Sequence, residues 1–170
     1  MPSEYLAVLA QHSAWANQRL YRACEPLSAA DYLRERASTF GSLHATLHHI
    51  MVVDRTWIAR IEGRTPPPLD ENQILYPDLI GLRVACLAED ERLRHLVGGL
   101  SEVALDQPLY YRNRRGDRYE APLRLVLAHL FDQHARCRGE VAALLSQAGI
   151  RAPSLDLLCF LREAGAAPAG

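Results

Sequence analysis

Five of the seven histidines of this 170-residue sequence fall into two short stretches. They are His44, His48, His49, His129 and His134. Imidazoles that project from facing helices can hold Zn²⁺, Ni²⁺ or Fe²⁺ with an open coordination position, which is what metal catalysis uses. Cys137 adds a thiol three residues after His134, on the same side of a helix. The spacing therefore indicates a candidate metal or thiol centre between two helices.

The elements that would position these groups are long amphipathic helices. Apolar residues at three- and four-residue spacing, with capping residues and helix stops, predict five helices. They span residues 3–24, 42–62, 73–100, 122–148 and 154–163. Asp54 is the only charged member of the apolar seam of the second helix, and His134 and Cys137 belong to the seam of the fourth. Four long helices with narrow seams predict an all-α four-helix bundle.

The helical period is lost over residues 109–120, which predicts a short β-hairpin before the last long helix. Its aromatic and basic side chains are Tyr110, Tyr111, Arg112, Arg114, Arg115, Arg118 and Tyr119. Such a group could stack on a nucleotide. We favour instead a solvated loop that packs its tyrosines on the end of the bundle, because four arginines make a small basic footprint.

The composition predicts one globular domain over residues 1–163, followed by a loose tail at 164–170. Hydrophobic residues make up 49% of the chain and charged residues 23%, and the net charge of −1 argues against a nucleic-acid partner. All 19 basic residues are arginine, which excludes Schiff-base chemistry on lysine. Four separated cysteines and no leader or long apolar run predict a reduced, cytoplasmic protein that does not enter a membrane.

Three separated motifs resemble the DinB (YfiT-like) family. They are Ala14-Trp15-Ala16-Asn17, the run from Leu43 to Ile50 with Asp54 and Trp57 after it, and the run from His129 to Glu140. The resemblance covers nearly the whole chain and implies an up-down-down-up four-helix bundle, commonly a homodimer. It also implies a divalent metal held by one histidine of the second helix and an H-x-x-x-H pair of the fourth. Some members of the family are transferases or isomerases that use bacillithiol, mycothiol or glutathione.

The resemblance implies an altered set of metal ligands in this chain. His49 matches the histidine of the second helix, whereas Gln133 and Cys137 stand where the family has the histidine pair. A thiolate is a good ligand for Zn²⁺, but a neutral amide binds transition metals weakly compared with imidazole. His134, one residue further on, is an alternative ligand. The expected cofactors are therefore a divalent metal (Zn, Ni, Fe or Mn) and a low-molecular-weight thiol.

These residues support three functional hypotheses, and no catalytic residue is assigned. The first is a metal-dependent transferase or hydrolase for a small, thiol-conjugated molecule, in which the metal lowers the pKa of a bound thiol or water. The second is a non-catalytic dimeric bundle that has lost its metal and serves as a stress-response binding or scaffold protein. The third is a hydrolase whose nucleophile, Cys137, is activated by His134 or His49.

Most of the remaining polar side chains are expected to be structural. Asp54 either orients a ligand histidine or forms a buried pair with an arginine, and we favour the arginine pair. We expect structural roles for Cys86, Cys159, His12, His44, His95 and His129.

Overall fold

The computed structural model describes residues 1–67, 74–113 and 115–165 of the chain. The described helices are α1 (Ser3–Cys24), α2 (Ala29–Leu33), α3 (Leu43–Ile61), α4 (Leu79–Gly98), α5 (Glu102–Asp106), α6 (Leu123–Gln147) and α7 (Leu157–Glu163). Two strands, β1 (Pro108–Arg112) and β2 (Arg118–Pro122), precede α6. The prediction of an all-α protein with one hairpin is confirmed. None of the described helices combines the length and apolar character that crossing a membrane requires.

The four long helices form a bundle in which α1 and α3 each pack against both α4 and α6. Leu6 near the start of α1 and Leu127 near the start of α6 share a cluster with Trp57 near the end of α3 and Val97 near the end of α4. Helices α1 and α6 therefore run in one direction, and α3 and α4 run in the other. This is the up-down-down-up order that the resemblance implied.

Two apolar cores fill the bundle, one toward each end. The first core is built around Leu20, Tyr21, Leu43, Leu47, Met51, Leu82, Cys86 and Leu144. The second core is built around Leu6, Trp57, Ile58, Leu93, Leu127, Leu130 and Phe131. Along each long helix, buried polar residues separate the residues of the first core from those of the second. We call this set of buried polar side chains the polar layer. Its members are Ser13, Asn17, Asp54, Asp90, His134 and Arg138.

The helix over residues 73–100 was predicted too long at its start. Residues 74–78 are not helical, and α4 begins at Leu79, where the Asp78 side chain accepts a hydrogen bond from the backbone N–H of Gly81. Pro77 explains the later start, because a proline disfavours helical geometry in the residue before it. The short helix predicted from residue 154 likewise begins later, at Leu157.

Two one-turn helices were not predicted. Helix α2 follows Ser28, whose side chain accepts a hydrogen bond from the N–H of Asp31, and α5 follows Ser101, which caps Ala104 in the same way. Each helix has five residues, which is too short for an apolar repeat to show. The serine caps were the available signals.

The hairpin packs against the second core through one row of side chains. Leu109 pairs with Ala121 and Tyr111 pairs with Tyr119 across the antiparallel strands, and Leu109, Tyr111 and Ala121 all contact that core. The Tyr111 ring meets Trp57 edge to face, with 5.1 Å between ring centroids. Tyr111 therefore packs on the bundle, as the sequence predicted for the tyrosines of the hairpin. The predicted tail beyond residue 165 lies outside the described residues.

Candidate functional site

A cleft of about 1210 Å³ opens between α3, α6 and the hairpin. Helix α3 presents His49, Val53 and Trp57 to it at four-residue spacing, and α6 presents His129 and Gln133, also four residues apart. Side chains at this spacing share one helical face, which is why both helices contribute a row of residues. The expectation that the second and fourth predicted helices face each other is thus confirmed, and His49 and Gln133 line the same cavity.

The His49 imidazole is half-buried at the edge of the cleft. Its ring stacks on Phe40, with 4.1 Å between the ring centroids and 24° between the planes. Phe40 precedes α3, so the loop before the helix restrains the histidine ring. The position predicted for the metal-binding histidine is therefore an oriented imidazole at a solvent-accessible cavity.

Gln133 brings an unsatisfied polar atom to the same cavity. Its amide oxygen Oε1 is buried and has no hydrogen-bond partner among the described residues. A buried acceptor of this kind costs about 1–3 kcal/mol when it is left without a donor. One turn earlier on α6, the His129 ring meets Trp57 edge to face at 6.0 Å. Gln133 is therefore a group that a bound donor would satisfy.

Cys137 lies elsewhere. It does not line the cleft and instead packs, half-buried, against the first core. Burial raises the pKa of the Cys137 thiol, and the charge of Glu140 raises it further. Both effects favour the neutral thiol, whereas a metal ligand or nucleophile needs the thiolate. The structure does not bring Cys137 to the cavity that holds His49 and Gln133.

His134 belongs to the polar layer and not to the cleft. Arg138 Nη1 donates a hydrogen bond to Ser13 Oγ at 2.8 Å, and Ser13 Oγ lies 2.9 Å from His134 Nδ1. Because the Ser13 hydroxyl accepts from Arg138, its own proton can be donated to Nδ1. His134 Nε2 then carries the ring proton and lies 2.7 Å from Asp54 Oδ1. Both ring nitrogens face protein groups.

The Asp54 carboxylate therefore faces a histidine, in an angled contact that makes an ion-pair distance without good hydrogen-bond geometry. The favoured alternative, a buried ion pair with an arginine, is not observed among the described residues, where Arg138 bonds to Ser13 and acts on Asp54 only through its charge. Burial lowers the pKa of Arg138 to about 10, and the two aspartates of the layer oppose that shift. Asp54 therefore interacts with His134 by direct contact and with Arg138 through its charge.

Asp90 is a buried carboxyl group of the polar layer with a strongly shifted pKa. Its carboxylate accepts a hydrogen bond from Asn17 Nδ2 at 2.8 Å, and only 4% of the residue is exposed. Burial raises the pKa of Asp90 to about 7, and the negative charge of Asp54 adds to the shift. The layer therefore holds a carboxyl group that takes up and releases a proton near neutral pH.

The donors that the structure places at the cleft do not fit a three-histidine metal centre. In residues 1–67, 74–113 and 115–165, no group of three or more His, Cys, Asp or Glu side chains is arranged to hold a metal ion. The cleft offers the imidazoles of His49 and His129 and the neutral amide of Gln133, and the Cys137 thiol faces the first core. Metal binding by His49, Gln133 and Cys137 stays a prediction.

Several other histidines and cysteines have structural partners. His12 Nε2 donates to the backbone oxygen of Leu155 at 2.7 Å, and the Tyr21 hydroxyl donates to Cys86 Sγ at 2.7 Å. His48, which the sequence did not single out as a structural residue, accepts the backbone N–H of Leu75 at Nε2.

Sequence reasoning singled out Asp54 and His134 but missed Ser13, Asn17 and Asp90 of the polar layer. Ser13, Asn17 and Asp90 are polar residues on the inner faces of α1 and α4, and their spacing among apolar neighbours was the available signal. Arg60 was also missed. Its guanidinium lies over the Trp57 ring, 4.6 Å from the centroid, and donates to the backbone oxygen of Arg112.

Comparison with known proteins identifies a family and a relative. The sequence profile of the DinB family matches residues 1–169. A relative named Protein DinB, from Bacillus subtilis (strain 168), is 26% identical over 168 residues, which cover 94% of this chain and 95% of that protein. The match of the family profile to nearly every residue shows that the chain belongs to the DinB family.

Proposed function

We propose that this DinB-family protein binds a small organic molecule in the cleft between α3, α6 and the hairpin, without a three-ligand metal centre. The observation that carries the proposal is the separation of the expected ligands. His49 and Gln133 line the cleft, whereas Cys137 packs against the first core. A binding role needs the cavity and its polar groups but does not need the missing ligand.

The cavity has the features of a small-molecule site. Ligand pockets are concave, mostly apolar and carry a few polar groups that fix the ligand's orientation. Here Val53, Trp57 and Tyr111 provide apolar surface, and the unpartnered amide oxygen of Gln133 provides an acceptor. A ligand that donates to this oxygen would remove an unfavourable buried group while it covers aromatic surface.

A thermal-shift screen of small neutral and charged aromatic compounds tests the proposal. Val53→Trp places an indole in the cleft and should abolish every shift that the wild type shows. Val103→Trp is the matched control, because Val103 is 72% exposed on α5, does not line the cleft and lies outside the exposed apolar surface of α4. Shifts that survive in Val53→Trp would locate binding elsewhere and contradict the proposal.

The metal-dependent transferase or hydrolase is the second candidate, and the same unpartnered oxygen of Gln133 favours it. A metal ion is one partner that could satisfy Oε1 beside His49. Elemental analysis separates the two candidates. The protein is loaded with zinc, nickel, iron or manganese, dialysed and analysed. We expect less than one metal ion per chain if the cleft binds an organic molecule without a metal centre. One retained metal ion per chain would favour the transferase or hydrolase.

A homodimer is also proposed, on the family resemblance. Ile80 and Val84 lie one turn apart on α4 and are 77% and 65% exposed, so α4 has apolar surface that a second copy could cover. Sedimentation velocity would show a species of twice the chain mass if this is right. A stress-response role and a cytoplasmic location stay predictions.

A further inference from the structure

Among the described residues, the charged side chains that line the cleft are all basic. Four of the described residues that line it are arginines, and none is an aspartate or a glutamate. The arginines are Arg60, Arg64, Arg112 and Arg118. Arg64 pairs with Glu62, which neutralises part of its charge. The chain as a whole has a net charge of −1, so this positive wall is a local feature of the cleft and does not reflect the composition.

Two of these arginines are placed directly opposite each other. Arg112 of β1 and Arg118 of β2 are cross-strand partners in the hairpin register. Like charges at such positions destabilise a strand pair. None of the ion pairs among the described residues joins a carboxylate to Arg112 or Arg118; Arg112 Nη1 donates to the backbone oxygen of Gly116, and the neighbouring Asp117 accepts from Asn113. A bound anion would relieve the repulsion.

Aromatic side chains of the hairpin line the same cleft. Tyr119 stacks on Tyr111, with 5.7 Å between ring centroids and 20° between the planes, and Tyr111 in turn meets Trp57. Tyr119 is 48% exposed, so this ring retains a solvent-accessible surface. The geometry suits a flat ring, because aromatic groups gain from offset stacking and from edge-to-face contacts.

We infer that the ligand of the cleft is a planar aromatic anion, whose ring lies on the Tyr111 and Tyr119 wall and whose charge meets Arg112 and Arg118. This inference rests on the proposed binding function and specifies the chemical class of its ligand. A guanidinium donates two parallel hydrogen bonds to a carboxylate, sulfonate or phosphate group. A cation would instead add to the repulsion between the two arginines.

Two dyes that differ in one group provide the test. Anilinonaphthalenesulfonate carries a sulfonate on an aromatic framework, and N-phenylnaphthylamine has the same rings without the charge. Fluorescence titration of the whole protein at pH 7.5 should give a dissociation constant about tenfold lower for the sulfonate, as expected when charge-assisted hydrogen bonds are added to the same ring contacts. Added salt should weaken the binding of the sulfonate alone.

Variants locate the effect. Arg112→Gln with Arg118→Gln should remove most of the preference for the sulfonate and leave the affinity of the neutral dye unchanged. Arg22→Gln with Arg151→Gln is the matched control, because both residues are exposed, lie outside the cleft and remove the same charge. Tyr119→Ser should weaken both dyes by a similar factor, since it removes a ring and no charge.

The outcomes separate this inference from the proposed function. Equal affinity for the two dyes, or equal loss of sulfonate binding in the two double variants, would overturn the aromatic-anion class. If Val53→Trp still abolishes binding in that case, the cleft remains a binding site and the proposed function stands. Binding of both dyes that persists in Val53→Trp would overturn both, because the dyes would then lie outside the cleft. Failure of the sulfonate dye to bind at all would overturn the inference.

Discussion

A buried carboxyl group at Asp90 gives the protein a pH-dependent stability. The pKa of Asp90 is raised to about 7 by burial and by the charge of Asp54, whereas an aspartate in an unfolded chain titrates near 4. Between these values the folded state binds more protons than the unfolded state. The Asp90 contribution to the free energy of unfolding therefore falls as pH rises from about 4 to about 7.

Asp90→Asn should remove this fall. Its free energy of unfolding, measured by urea denaturation at pH 5 and pH 8, should lose the decline attributable to Asp90, which is on the order of 4 kcal/mol at most for a shift of this size. Asp132→Asn is the control, because Asp132 is an exposed residue of α6 paired with Arg136. An unchanged pH dependence in Asp90→Asn would show that Asp90 ionises normally in the fold.

His48 should produce a slope of the opposite sign. Burial lowers its pKa to about 4, and the charges of His44 and Arg55 add to the shift. The unfolded state then binds more protons between about pH 4 and pH 6.5, so stability is lost as pH falls through this range. His48→Gln should flatten this acid loss in urea titrations at pH 4.5 and 6.5. A steeper loss in the variant would contradict the assignment.

The effect of Gln133 and Cys137 on metal binding can be tested by replacing both with the histidines that the family has at these positions. Gln133→His with Cys137→His should bind Zn²⁺ at least about tenfold more tightly than the wild type, because imidazole replaces an amide and a buried thiol. Isothermal titration with Zn²⁺ measures the change. A variant with Gln147→His and Cys159→His controls for added imidazoles, and equal affinity in wild type and test variant would mean that these two positions do not limit metal binding.

The family resemblance predicted that His49, Gln133 and Cys137 share a cavity; His49 and Gln133 do, whereas Cys137 does not. Residues four apart on a helix are turned by about 40° relative to each other, and the turn accumulates to about 80° from His129 to Cys137. The same row of residues therefore begins at the cleft and ends against the first core. Only the packing of α6 against its neighbours decides where along the row this change occurs.

At the scale of single elements, the start of α4 depends on Asp78. Its side chain accepts the backbone N–H of Gly81 at 2.7 Å, which satisfies one of the unpaired donors of the first turn. Asp78→Ala should lower the free energy of unfolding by about 1 kcal/mol in urea denaturation. Asp78→Asn keeps an acceptor at the same position and should remain close to the wild type, so equal losses in both variants would argue against capping.

The long helices could be predicted because each repeats its apolar pattern over five or more turns. Helices α1, α3 and α6 were predicted to within a residue or so at each end. The start of α4 could not be predicted from its apolar spacing, because Leu75 continues the repeat although Pro77 prevents the helix from reaching it. The local backbone constraint overrides the hydrophobic pattern at that point.

At the scale of the whole molecule, the polar layer divides the apolar interior and raises the question of whether the two cores unfold together. Leu47 in the first core and Leu127 in the second are 1% and 0% exposed. Leu47→Ala and Leu127→Ala should each lower the free energy of unfolding by about 2–5 kcal/mol, because each leaves a cavity in a packed core. Urea denaturation followed by circular dichroism measures both losses.

Whether each variant unfolds in one transition or in two shows whether the polar layer separates the two cores into independent folding units. Each long helix passes through both cores, so separating them would require breaking all four helices at the layer. We therefore expect one transition in each variant, and the same midpoint by circular dichroism and by tryptophan fluorescence, which reports on Trp57 in the second core and on Trp15 of α1. The double variant should show the sum of the two losses, because the sites share no packing partner. A second transition in Leu47→Ala alone would mean that the polar layer separates two folding units.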